Sequence, residues 1–268
     1  MFPLHTAAFP SSASDLERLL NESLERSFVT ASPPVTVLGQ EYPHLEAITV
    51  SLDGAQLRPD APRPSSLSGE TSPALEIDQF NLSARSLSLG PVALDLALAA
   101  RNVHLRQGKG SNNQITLSLD RAADGTIEIS LAQADLEALV SKLAQDQAGK
   151  HGITIESVKL TMQQENPHSL AVQIQLGARK LFLAASLRVT GQLDLDDQLN
   201  LKVSGLNCTG DGGVSTLACG IIKPYLEKID GRVFPLISFL PLGEIRLRDV
   251  RLTVGEKLSI TAEFRGAN

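Results

Sequence analysis

Few residue types in this chain fall at spacings that support chemistry. No H-E-x-x-H, C-x-x-C, G-x-S-x-G or G-x-x-x-x-G-K-[ST] pattern occurs, so metal hydrolysis, dithiol redox, acyl transfer and nucleotide binding lack their usual residues. His5, His44, His104, His151 and His168 stand singly and read as surface or loop positions. Gly108-Lys-Gly-Ser-Asn-Asn113 lacks the third glycine of a dinucleotide turn. Asp194, Asp196 and Asp197 lack the glycine and distal glutamate of a calcium loop and predict a polar hairpin turn. Thr209-Gly-Asp-Gly-Gly-Val-Ser-Thr216 opens a helix with free N–H groups, an anion-binding arrangement that Asp211 opposes. No nucleophile, base and orienting group come together, so the expectation is a protein without catalysis, metal or cofactor.

The strongest functional stretch is Val233 to Leu242, an apolar run flanked by Lys223, Lys228 and Arg232 before it and Arg246, Arg248 and Arg251 after it. Cations attract anionic headgroups while apolar side chains enter the acyl boundary. Phe234, Leu236, Ile237, Phe239, Arg232, Arg246 and Arg248 are therefore the expected membrane-contact residues, and core packing under a sheet is the competing reading.

Three helices must position these groups. The first is expected at about 14–28, from the capping pattern Ser14-Asp-Leu-Glu17 and the face of Leu16, Leu19, Leu20, Leu24 and Phe28. The second, at about 132–148, carries the stripe Leu136, Leu139, Val140 and Leu143 before Gly149. The third, from about Ser215 to Ile229, carries Leu217, Ile221, Ile222, Leu226 and Ile229, with Pro224 expected to kink it. Residues 59–74 and 106–114 read as loops, the first mobile. Most of the remainder alternates with period two and predicts half-buried antiparallel strand.

Six segments share an apolar-x-apolar-x-x-apolar-x-apolar pattern: Val50/Leu52/Ala55/Leu57, Leu75/Ile77/Phe80/Leu82, Leu98/Ala100/Val103/Leu105, Ile153/Ile155/Val158/Leu160, Leu201/Val203/Leu206/Cys208 and Ile245/Leu247/Val250/Leu252. A flat strand cannot keep all four on one face, because the extra residue reverses the alternation. A β-bulge restores it and bends the strand, so a curled sheet is expected.

Composition bounds the function classes. A net charge of −6 and a pI near 5.4 argue against nucleic-acid binding. Residues 1–149 carry 10 basic and 18 acidic side chains and residues 150–268 carry 14 and 12, so any face toward an anionic membrane is expected from the C-terminal half. The N-terminus has no basic region before its apolar stretch, which predicts no signal peptide, and no run approaches the length of a membrane-spanning helix. The expected location is cytoplasmic or peripheral at a membrane, or secreted if a leader has been removed. Cys208 and Cys219 could close a short loop, but a reducing compartment favours free thiols.

The succession Ile129-Ser-Leu-Ala-Gln-Ala-Asp-Leu-Glu-Ala-Leu139, the strands Leu181 to Val203, the helix from Val214, and Leu242 to Val254 with Leu258 to Ala262 resemble the LmeA-like phospholipid-binding proteins of bacteria. The resemblance spans about residues 14–266. It implies an α+β, TULIP-like architecture: a strongly curved, bulged antiparallel sheet wrapped around long amphipathic helices, with an apolar tunnel for lipid tails.

The resulting expectation is a flexible tail over residues 1–13 and one domain over 14–268 that binds a phospholipid or other acyl-chain ligand. Leu136, Leu139, Val140, Leu143, Leu217, Ile221, Ile222, Leu226 and Phe234 are the expected lining. The alternatives are a structural or assembly protein with a packed interior that binds a protein partner, and an enzyme with an unfamiliar site.

Overall fold

The computed structural model describes residues 2–62, 67–90, 92–110, 113–150, 152–180, 183–236 and 247–265. In chain order the elements are β1 (Phe2–Pro3), α1 (Ala13–Ser27), β2 (Phe28–Val29), β3 (Val35–Leu38), β4 (His44–Ser51), β5 (Gln56–Leu57), β6 (Leu67–Leu89), β7 (Val92–Gly110), β8 (Ile115–Arg121) and β9 (Asp124–Ala132). They continue with α2 (Gln133–Gly149), β10 (Thr154–Asn166), β11 (Ser169–Lys180), β12 (Leu183–Leu195), β13 (Asn200–Gly210), α3 (Gly213–Ile229), β14 (Val233–Pro235), β15 (Leu247–Val254) and β16 (Lys257–Arg265).

The fold differs from the expected α+β, TULIP-like arrangement of a sheet wrapped around long helices. Strand accounts for 58% of the chain and helix for 21%, in two sheets with three short helices. The physical reason is visible in the helices. α2 buries no residue and α3 buries only Ser215 and Cys219, so neither serves as an axis for a sheet to close on.

The described residues form two compact units, one from the described parts of 1–130, 237–249 and 261–268, the other from 131–236 and 250–260. An 11-stranded sheet runs β15-β16-β9-β7-β6-β4-β3, with β1, β2, β5 and β8 paired off this path; β1 to β8 lie in the first unit, and β9, β15 and β16 have residues in both. Pairing is mostly antiparallel as expected, but β4 and β5 both run parallel to β6. The second holds a 5-stranded antiparallel sheet, β10 to β14 in sequence order.

The alternation reverses along a line crossing three neighbouring strands. In β6 and β7, Ile77 pairs with Val103 and Phe80 with Ala100, so the register holds while both strands gain the extra residue. β4 follows in step, with Leu45 beside Ile77 and Ile48 beside Phe80. Asn102, at φ 48°, takes the left-handed turn on β7. Leu45, Ile48, Ile77, Ala100 and Val103 are all buried as a result. Elsewhere the same pattern is met by a register shift between Ile155 and Ser157, by Gly205 at φ 65° and by Asp249 at φ 50°. In Val50/Leu52/Ala55/Leu57 the chain turns at Gly54 (φ 69°) instead, and Leu57 is exposed.

Helices cap one edge of each sheet with polar side chains. Unpaired backbone groups on an edge strand invite another strand. At β3, Glu17 Oε2 accepts the Val37 N–H at 2.7 Å, and Asn21 accepts the Val35 N–H at 2.8 Å while donating to its carbonyl at 3.1 Å. At β10, Glu137 accepts the Leu160 N–H at 2.9 Å and Gln133 donates to the Leu160 carbonyl at 2.8 Å. Glu17 is thereby occupied, and the expected capping residue Ser14 is replaced by Ser12, whose Oγ accepts the Asp15 N–H at 3.2 Å.

Other local expectations are corrected. The loop expected over 59–74 is β6 from Leu67 onward, with 63–66 outside the described residues, and 106–110 belong to β7. Residues 2–6, read as part of a flexible tail, are tied to β8: Leu4 N donates to the Ile115 carbonyl at 2.8 Å, and Ile115 N to that of Thr6 at 2.7 Å. Cys208 and Cys219 form a disulfide joining β13 to α3 instead of standing as free thiols. The Asp194–Asp197 region is the expected turn. Partial burial pushes the Asp196 carboxyl upward, but the Asn200 side chain and the Asn200 and Gln198 N–H groups hold it below the usual carboxylate range.

Candidate functional site

A cavity of about 80 Å³ lies within the first unit. It exists because the reversal line keeps successive apolar residues on one face. Leu98, Ala100, Val103 and Leu105 of β7 all line it, on both sides of Asn102. Ile48 and Val50 of β4 and Phe80 of β6 continue the wall, and β8 contributes Leu117 and Leu119. The sole polar lining residue is Ser118, and no lining residue carries a charge. An ionised group would be desolvated there without compensation, so the interior admits hydrocarbon and little else.

Two elements close the wall. Leu20, on the face of α1 that buries Leu16, Leu19 and Leu24, reaches the cavity across from the sheet. Phe264 of β16 lies over Gly125, where a Cβ would collide with the ring and stand 2.6 Å from the Ala99 carbonyl. A glycine at 125 is therefore what lets the ring reach the cavity.

Phe2 of β1 also lines the space, and a set of polar contacts holds this short strand. Ser23 Oγ donates to the Pro3 carbonyl at 2.5 Å, and His5 Nδ1 lies 3.1 Å from Gln114 Oε1. Among the described residues, His5 Nε2 and Thr116 Oγ1 are shielded from solvent and meet no hydrogen-bond partner. Burial, then the nearby Arg26 charge, pushes the His5 imidazole below its ordinary value, against the Gln114 contact, which raises it. The ring is thus favoured neutral at the strand that bounds the cavity.

None of the nine residues expected to line a lipid groove lines this cavity; all lie in the second unit. Leu136, Leu139 and Val140 of α2 are half-buried and Leu143 is exposed. On α3, Ile222 and Leu226 pack against a small core of Leu176, Leu187, Val189 and Cys219, whereas Leu217 and Ile221 face solvent. Phe234 is exposed on β14, across from Leu201. Of the expected membrane-contact residues, Arg232 and Arg248 are exposed, Leu236 is half-buried, and Ile237, Phe239 and Arg246 lie outside the described residues. Phe2 and Phe264 carry no signal in the sequence that marks them as lining, and Leu20 reads there only as part of the apolar face of the first helix. The β7 quartet was legible as a bulged strand, but nothing in one strand's pattern says which face encloses space.

The histidines are not all isolated. His44 and His104 flank Glu76 across β4, β6 and β7, with Nδ1 to carboxylate distances of 3.9 Å and 3.6 Å, and His44 Nε2 lies 3.4 Å from Asp78. Among the described residues no group of three such side chains could hold a metal ion. Nor, among them, is any helix long and apolar enough to cross a membrane. Comparison of the chain with protein-family models, curated proteins and solved structures finds no match in any of the three.

Proposed function

We propose that this chain binds an acyl-chain lipid without catalysing a reaction on it, taking the methyl end of one chain into the cavity of the first unit. The observation that carries the reading is the lining: fifteen residues, of which only Ser118 is polar, around a space that opens to the outside.

Size decides how much of a lipid enters. An apolar protein cavity of about 150 Å³ takes up one benzene molecule, and this one measures about 80 Å³. Two whole acyl chains do not fit the resting shape. The end of one does, with the rest of the chain and the headgroup left at the opening. Each buried methylene contributes about 0.8 kcal/mol, so deeper entry depends on displacing Phe2, which sits on a two-residue strand.

Native mass spectrometry of the full chain after incubation with a long-chain fatty acid tests the proposal. The expected result is one bound ligand per chain, lost when the cavity is filled by substitution. A mass that stays ligand-free with fatty acids and phospholipids alike, in a folded protein, would overturn it.

A further inference from the structure

Helix α3 is apolar on two opposite sides. Ser215, Cys219, Ile222 and Leu226 recur on the side that meets the sheet, and the disulfide to Cys208 fixes that side in place. Val214, Leu217 and Ile221, spaced i, i+3, i+7, form a stripe on the other, and all three are exposed, Leu217 at 74%. A helix apolar all round is ordinarily enclosed on all sides; here one side is open, and Val233 and Phe234 just beyond the helix are exposed as well.

We infer that the outer face of α3 docks on the surface of an anionic lipid bilayer. Charge selects this occupant. Lys228, seven residues after Ile221, continues the stripe's side of the helix, Arg232 follows the helix, and Lys202 pairs across from Val233. Two of the three acidic residues in the same stretch are engaged: Glu227 with Lys223 Nζ at 3.9 Å, and Asp230 with the Leu206 N–H at 3.1 Å. Residues 200–236 hold four basic and three acidic side chains in a chain whose net charge is −6. Lysine is depleted at protein–protein contacts, whereas cations beside an aliphatic stripe suit anionic headgroups.

The order along the helix fits the same occupant. Aliphatic residues give way to Tyr225, with Lys228 Nζ 5.7 Å from its ring centroid. From Val214 to Lys228 the rise is about 21 Å at 1.5 Å per residue, which lets aliphatic side chains dip while the ring and ammonium stay at headgroup level. The inference concerns the second unit and a membrane surface, so it stands or falls separately from the cavity.

Vesicle flotation of the full chain tests it, using vesicles of mixed phosphatidylcholine and phosphatidylglycerol against phosphatidylcholine alone. Wild type is expected to float with the mixed vesicles, to be released by high salt, and to float poorly with the neutral ones. The pair Leu217→Asp and Ile221→Asp, both at exposed positions, should lower the bound fraction by about tenfold or more with an unchanged circular dichroism spectrum. Leu217→Gln with Ile221→Gln provides a milder version should the aspartates perturb the helix. Fatty-acid uptake measured by mass spectrometry should be the same in all variants.

Wild type left with the soluble fraction on both vesicle types, or variants that float as well as wild type, would overturn the inference. So would sedimentation showing a wild-type dimer that Leu217→Asp converts to monomer without lipid, since the face would then be a contact between copies.

Discussion

Filling the cavity should stabilise the protein and abolish lipid uptake together. Ala100 lines the space from β7 and is buried, so Ala100→Leu projects three additional carbons into it. Empty apolar volume costs about 24 cal/mol per Å³. For a cavity of about 80 Å³ that is about 1.9 kcal/mol if the new side chain fills it without strain. The added carbons set a second bound, about 2.4 kcal/mol at 0.8 kcal/mol each. The two agree closely enough to expect a gain of about 2 kcal/mol, or a rise in Tm of about 4–8 °C for a chain of this size. Scanning calorimetry reads the stability, and native mass spectrometry after fatty-acid incubation reads the binding. A less stable variant that still takes up fatty acid would refute the argument, because it would mean that the space is already occupied by packing and the ligand sits elsewhere.

Three other outcomes follow from the structure. His5 is pushed below its ordinary value of 6.5 in the folded state, so the unfolded chain binds more protons between the folded value and 6.5. The stability it confers is complete above about 6.5 and is lost as pH falls through that window; the protection factors of the Leu4 and Ile115 amides, taken relative to intrinsic exchange at each pH, should fall there, and His5→Gln should flatten the dependence. Reducing the Cys208–Cys219 bridge, which spans a sequence separation of 11, should cost about 3 kcal/mol on the chain-entropy model, read as a lower Tm and faster amide exchange across α3. Gly125→Ala should destabilise by about 1–3 kcal/mol, because the Ala99 carbonyl is fixed backbone and the Phe264 ring must leave its place; unchanged calorimetry would show that the ring is free to turn aside.

Local periodicity made the helices legible: Leu16, Leu19, Leu20 and Leu24 fix the buried face of α1 regardless of where its cap falls. The four-residue pattern likewise identified strands that change face. It could not reveal that β4, β6 and β7 change face side by side, since that depends on register between segments far apart in sequence. The stripe of α2 misled for a related reason. Leu136, Leu139, Val140 and Leu143 have the spacing of a buried face, yet the helix is held through Gln133 and Glu137 on the main chain of Leu160. Two polar side chains tie its first turns to the edge of β10, and hydropathy does not register them. The cavity was illegible because it takes Phe2, Leu20 and Phe264 from the two ends of the chain to meet a wall built from the middle.

The reversal line across β4, β6 and β7 behaves like a dislocation running through a lattice. Deleting Asn102 alone would turn Val103 and Leu105 outward while Ile77 and Leu75, their partners on β6, stayed inward. Two of the four lining residues of β7 would then face water, so one missing residue would act as a change of several. Deleting one residue from each of the three strands at the line would leave every pairing intact and every apolar side chain out of place on the far half. Length in this part of the molecule is therefore inherited jointly. Substitutions can accumulate one at a time, but insertions and deletions near the line are tolerated only in pairs along a single strand, one restoring the phase that the other shifts.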